Sequence, residues 1–289
     1  MWRMGVWGNG SVGDRKPKVS PFTIMAYVIL TLWAVWALLP LFWMISTSFK
    51  EVRAAIKIPP EWLPAHPTLI NYEHLFARAP AFRWFANSAI VAVAHTLSML
   101  FFCSMAGYAF AKKEFPGKTA IFWSLLSTMM IPGMVLLVPL FLLVSKMGLI
   151  NNFGGLILPG MVGAFGVFLM KQFIGTLPNE LIDAARIDGA SEFGVYYKLI
   201  LPLSKPALAV LGIFSFMGAW NDFLWPLLIT QSKEMRTLAV GLATLQQESM
   251  TDYGLLMAGS AFAAIPMIIV FFAFQKHFLK GLTIGALKG

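Results

Sequence analysis

Four carboxylates, Glu180, Asp183, Asp188 and Glu192, fall within one short polar stretch of a chain that is otherwise largely apolar. Acids this close in sequence could serve as a general acid and base pair. Their surroundings give a second reading, which explains them better. Pro178 and Asn179 form a helix start signal, Asn179 can cap the first free amides, and Glu180 and Asp183 sit where the positive end of the helix dipole favours carboxylates. Gly189 then stops that helix and Ser191 can cap another, which carries Phe193, Tyr196, Tyr197 and Ile200 at helical spacing and ends at Leu201-Pro202, with Pro206 just beyond. Two short helices joined by a glycine elbow make a protruding knob suited to a protein partner.

A second constellation is Trp220-Asn221-Asp222-Phe223-Leu224-Trp225, inside an apolar run. A charge there is costly unless it faces a cavity or a partner. Trp220, Phe223 and Trp225 offer stacking faces to a sugar ring, and Asn221 and Asp222 could bond its hydroxyls. The other reading is an interfacial tryptophan belt with a structural carboxylate, and both stay open at this point. His95, also in an apolar run, reads first as a satisfied hydrogen-bonding side chain and second as a proton relay.

Other catalytic patterns are missing. The histidines His66, His74, His95 and His277 are scattered, and there is no His-Glu-x-x-His, phosphate-binding Gly-Lys-Ser/Thr loop or Gly-x-Ser-x-Gly elbow. Cys103 is the single cysteine, which excludes a disulfide within the chain and a cysteine metal cluster and reads as a small packing residue. No metal or cofactor of the chain's own is expected.

The elements that must position these groups are membrane helices. Of 289 residues, 58% are hydrophobic and 12% charged. Six apolar runs, at 22–45, 84–111, 119–144, 153–170, 207–229 and 253–274, are near the ~20 residues that cross a bilayer core. They lack the alternation of barrel strands, so the expected fold is all-α, a polytopic bundle of six transmembrane helices in a single domain, 1–289. Pro132-Gly133 and Pro139 predict a kink or re-entrant bend in the third run, and the glycines of the fourth read as helix-packing positions.

The net charge of +9 fits topology better than nucleic-acid binding. With both termini cytoplasmic, the larger share of the basic residues lies inside, although Lys50, Arg53, Lys57, Arg78 and Arg83 gather in the first outer segment. These five could attract an acidic oligosaccharide, or simply be solvated loop charge. In this arrangement 1–21 is a cytoplasmic segment leading into a retained anchor helix, 178–206 is a cytoplasmic loop and 230–252 an outer loop.

Glu180-Leu181-Ile182-Asp183-Ala184-Ala185-Arg186-Ile187-Asp188-Gly189-Ala190, followed by Ile200-Leu201-Pro202 and Pro206, resembles the EAA loop of permease subunits in bacterial ABC importers. Trp-Asn-Asp-Phe-Leu-Trp-Pro at 220–226 and the ending 281–289 are similar to the carbohydrate-uptake branch, especially its smaller, maltose-type partner. The small pair Ala184-Ala185 follows an aspartate here, where the strict motif begins with glutamate.

The resemblance implies a type I importer permease fold in the bacterial inner membrane and a non-catalytic role. It also implies a second permease subunit, two ATP-binding subunits that carry the ATP and magnesium, and an extracytoplasmic solute-binding protein that meets the loop 230–252. Glu180, Asp183, Ala184, Ala185, Asp188 and Gly189 would dock on the ATPase and act as a lever. Asn221, Asp222, Trp220 and Trp225 are the candidates for the substrate pathway, although the family's main sugar site can lie largely in the other permease. Two alternatives remain at this level: a proton-coupled sugar carrier using Asp222, and a membrane enzyme acting on lipid-linked sugars through the 180–192 carboxylates.

Overall fold

The computed structural model describes residues 20–248 and 252–286, and their regular structure is entirely helical. Arg3, Arg15, Lys16, Lys18 and Lys288, which belong to the share expected on the inner side, lie outside the described residues, as do 249–251 within the expected outer loop and 287–289 of the chain's ending.

Ser20 opens α1 (Pro21–Ser48): its hydroxyl accepts a hydrogen bond from the Thr23 amide at 3.2 Å, and Pro21 occupies a position whose N–H would have no helical partner anyway. The body of α1 is apolar on all sides and exposed, as lipid contact requires, and it lies against α14 (Tyr253–Ala286).

The segment after α1, expected on the outer side, is folded by side-chain bonds to its backbone. Asn71, on α2 (Ile70–Arg78), donates to the Ser48 carbonyl at 2.9 Å and the Lys50 carbonyl at 2.7 Å. Lys50 is buried, its ammonium 3.9 Å from the Trp43 ring centroid and 3.1 Å from Thr47 Oγ1. Burial pushes its pKa below the ordinary lysine value, with the Glu61 charge opposing. Lys57 pairs with Glu61, so two of the five outer basic residues are committed within the segment.

The helix α3 (Ala81–Lys112) has 32 residues, about 48 Å at ~1.5 Å per residue, and so extends past a ~30 Å hydrocarbon core. The third apolar run breaks as expected: α4 (Lys118–Ser127), extended by a 3₁₀ turn, meets α5 (Gly133–Lys146) at 104°. The break falls at Pro132, whereas Pro139 is held inside α5. In the fourth run α6 (Phe153–Ile157) leads through a tight turn to α7 (Ala164–Gly175) at 45°. Among the described residues three helices are long and apolar enough to span alone, and the count reaches the expected six when each bent pair is taken as one span.

Beyond α7 come α8 (Asn179–Ile187) and α9 (Glu192–Val195), which continues through a wide π turn at Tyr196–Ile200 into α10 (Leu201–Leu203). Pro202 has no N–H to offer the Lys198 carbonyl, and the turn before it widens. The chain then bends by 77° into α11 (Lys205–Asn221), which stops at Asp222 before α12 (Leu224–Ile229). The expected outer loop is largely a helix, α13 (Leu238–Glu248), because Leu238 and Leu245 are buried against Trp84 and Leu255. Close helix approach depends on glycine, as expected for the fourth run: a Cβ at Gly166 would lie 2.7 Å from Cys103 Sγ, and Cys103 is itself fully buried.

Candidate functional site

The polar knob is built as its residue types dictate, with one correction. Pro178 ends the preceding turn and α8 begins at Asn179, but the Asn179 side chain does not cap it. Its Oδ1 instead accepts a hydrogen bond from Lys112 Nζ at 2.7 Å, and the same ammonium donates to the Leu177 carbonyl at 2.5 Å. A charged donor at the end of α3 outcompetes the local amides. Gly189 ends α8 with φ of +81°; its amide bonds the Arg186 carbonyl at 3.0 Å and the Ala190 amide bonds the Ala185 carbonyl at 2.9 Å. That Schellman geometry favours glycine. Ser191 Oγ accepts from the Gly194 amide at 3.1 Å, so the second cap is present.

Glu192 ties the knob to the bundle. One carboxylate oxygen accepts from Arg186 Nη2 at 3.0 Å, while the other accepts from the Tyr108 hydroxyl at 3.2 Å and from Lys113. Glu192 lies in the polar loop 178–206, ahead of the apolar run that begins at 207, and the Lys113 hydrogen bond holds its pKa below the ordinary carboxylate value. Arg186 also reaches Asp183 Oδ1 at 3.2 Å. Below this surface Tyr196 shares a hydrogen bond with Ser104 Oγ at 2.8 Å, and Ile182 is buried among Tyr108, Ile174 and Ile200. The carboxylates are thus held by basic partners or exposed at the helix surface; they do not converge as an acid and base pair on a cavity.

The outward side of the knob is small and apolar. Glu180, Asp183, Ala184, Asp188 and Gly189 are exposed and Ala185 is half-buried, and a Cβ added at Gly189 would meet nothing within 4 Å. Leu181, Ile187, Phe193 and Tyr197 are exposed beside them, with Ile187 86% exposed. An exposed apolar cluster rimmed by charge is what a protein contact covers.

The second site is an open-sided cavity of about 500 Å³ lined by α3, α5, α6 with the turn that follows it, α7, α11 and α12. His95 Nδ1 and Ser215 Oγ share a hydrogen bond of 3.0 Å within it. Asp222 sits in the extended break between α11 and α12, with the starting amides of α12 and the His95 ring near its carboxylate. Trp225 lines the same space and donates its Nε1–H to the Gly155 carbonyl at 2.9 Å. Gly160 backs the histidine: a Cβ there would lie 2.4 Å from His95 Nε2.

Of the pathway candidates, then, Asp222 and Trp225 meet in one cavity, joined by His95. Trp220 does not belong with them. Its ring packs on Phe216 and Phe85, and its Nε1–H bonds the Ala263 carbonyl at 3.2 Å. Asn221 is exposed and donates to the Met217 carbonyl of its own helix at 2.9 Å. Sequence reading missed Ser215, whose only signal was its place seven residues before Asp222, two helical turns along the same face.

Comparison with known proteins gives a consistent answer. The family described as binding-protein-dependent transport system inner membrane component matches residues 100–284. The arabinooligosaccharides transport system permease protein AraQ of Bacillus subtilis (strain 168) is 38% identical, over 95% of this chain and 99% of its own length. The protein of the same name from Halalkalibacterium halodurans is 37% identical, over 95% of this chain and 100% of its own length. A solved bacterial ABC transporter involved in the import of the acidic polysaccharide alginate aligns with TM-score 0.80 and 25% identity, over 91% of this chain and all of the matched chain. With a model match over more than half its length and relatives aligned almost end to end, this chain belongs to the inner-membrane permease components of binding-protein-dependent transport systems.

Proposed function

We propose that this chain forms half of the transmembrane pathway of an ATP-driven importer for a sugar or oligosaccharide, beside a second permease subunit. Two ATP-binding subunits on the cytoplasmic side carry the nucleotide and magnesium, and an extracytoplasmic solute-binding protein delivers the sugar. Both termini lie in the cytoplasm. The chain itself is non-catalytic.

The observation that carries this reading is the knob: a small, apolar, exposed surface around Ala184 and Gly189 whose rear is locked to α3 through Glu192 and Lys113. When the ATPases close on nucleotide they pull α8, and Glu192 transmits that displacement to α3, which lines the cavity at His95. ATP binds one arrangement of the ATPases better, so its binding energy biases the inward-to-outward equilibrium of the bundle. The His95 and Asp222 pair is what a proton-coupled carrier would also use, but such a carrier has no need of a binding protein or of an exposed docking knob.

The test is uptake by the reconstituted complex carrying Gly189→Leu. We expect transport to fall at least tenfold while the chain still inserts and is found in the membrane fraction. Full uptake in that variant would remove the lever.

A further inference from the structure

We infer that the membrane cavity is a sugar-ring subsite made by this chain itself, and that it is selective for uncharged sugars over uronates. The inference rests on the importer reading and adds the substrate's charge class to it.

Size and chemistry both bear on the ligand. A cavity of about 500 Å³ lies within the range of small-molecule sites and accommodates one or two sugar rings. Most of its wall is apolar, as the C–H face of a sugar requires, and its polar groups converge from two helices and a break: His95 on α3, Ser215 on α11 and Asp222 between α11 and α12. A carboxylate accepts two hydroxyl hydrogen bonds, and a serine hydroxyl or an imidazole both donates and accepts, which matches the paired donors and acceptors on a sugar ring. The Trp225 N–H is already spent on Gly155, leaving the indole's carbon surface as wall.

Charge decides between sugar classes. Among the described residues that line the cavity, Asp222 is the acid and none is a lysine or arginine. A uronate would bring its carboxylate beside Asp222 with no counter-charge supplied by this wall, so like charges repel. None of Lys50, Arg53, Lys57, Arg78 and Arg83 in the first outer segment lines the cavity. Lys50 is buried over Trp43, Lys57 is paired with Glu61, and Arg83 Nε donates to the Glu234 carbonyl at 3.2 Å. The site therefore differs in charge preference from what the alginate importer must handle, despite the shared fold.

The experiment is calorimetric titration of the purified complex, with both permeases and both ATPases present and the binding protein left out so that its own selectivity does not enter. The probes are arabinotriose, galactotriose and lactose as neutral sugars and an alginate trisaccharide as the anion. At least one neutral sugar should bind at least tenfold more tightly than the alginate trisaccharide. Ser215→Ala, a mild change that removes the His95 partner, and Asp222→Asn should each weaken it at least tenfold, and Asp222→Asn should narrow the gap between the classes. Equal or tighter binding of the alginate trisaccharide, no binding of any neutral sugar, or neutral binding unchanged in both variants would overturn the inference. ATP-dependent uptake by the same complex in proteoliposomes tests the importer reading separately, so the two can fail independently.

Discussion

Gly189 and Glu192 carry the coupling claim at the scale of single residues. At φ of +81°, Gly189→Ala introduces backbone strain of about 1 kcal/mol without a clash, whereas Gly189→Leu also places bulk on the docking surface. Uptake should therefore fall modestly for alanine and at least tenfold for leucine; equal loss in both would assign the effect to strain alone. Glu192 has a different signature. Removing its carboxylate in Glu192→Ala leaves Lys113 and Arg186 without their shared acceptor and frees the knob from α3, so sugar moved per ATP hydrolysed should drop several-fold while hydrolysis continues. A parallel drop in both rates would contradict a transmitting role. Because its pKa lies below the ordinary 4.5, the lock is fully present above that pH and is lost only as pH falls through the lower folded value. Much of this was legible in the sequence: a proline, a glycine elbow, a serine cap and clustered acids are local signals. The partners of Glu192 were not, since Tyr108 and Lys113 reach it across 84 and 79 residues of chain. Trp220 and Trp225 were alike in sequence, and packing against Phe85 and Phe216 is what separated them.

At the scale of elements, broken helices place the chemistry. The interruption at Asp222 turns a helix interior, where a carboxylate would be intolerable, into a cavity wall where the starting amides of α12 face it. The Pro132 bend was readable because proline removes a backbone donor wherever it sits; the seat of α13 was not, because its burial depends on Trp84 and Leu255 from distant helices. Close packing of α7 on α3 gives a stability prediction. Gly166→Val should lower the thermal midpoint in detergent, at a cost of about 1–3 kcal/mol for overpacking, since its Cβ would meet Cys103 Sγ at 2.7 Å. Cys103→Ala in the same chain should restore part of the loss; no recovery would place the clash elsewhere.

Over the whole molecule, the knob and the cavity lie toward opposite ends of the α11 segment, and α3 touches both through Lys113 and His95. That shared helix gives the two sites a mechanical connection. The apolar surface of α1 and the knob are both exposed in this chain, and the proposed function assigns lipid to the first and a protein partner to the second. The central claim is that ATP-driven motion enters at the knob. It is tested most directly by placing a single cysteine at Ala184, in a Cys103→Ala background, and treating the assembled complex with a short bis-maleimide. A covalent adduct should form between this chain and an ATP-binding subunit, and none from a cysteine placed instead at Gln231, at the far end of α11 and α12. An adduct from position 231 and none from position 184 would contradict it.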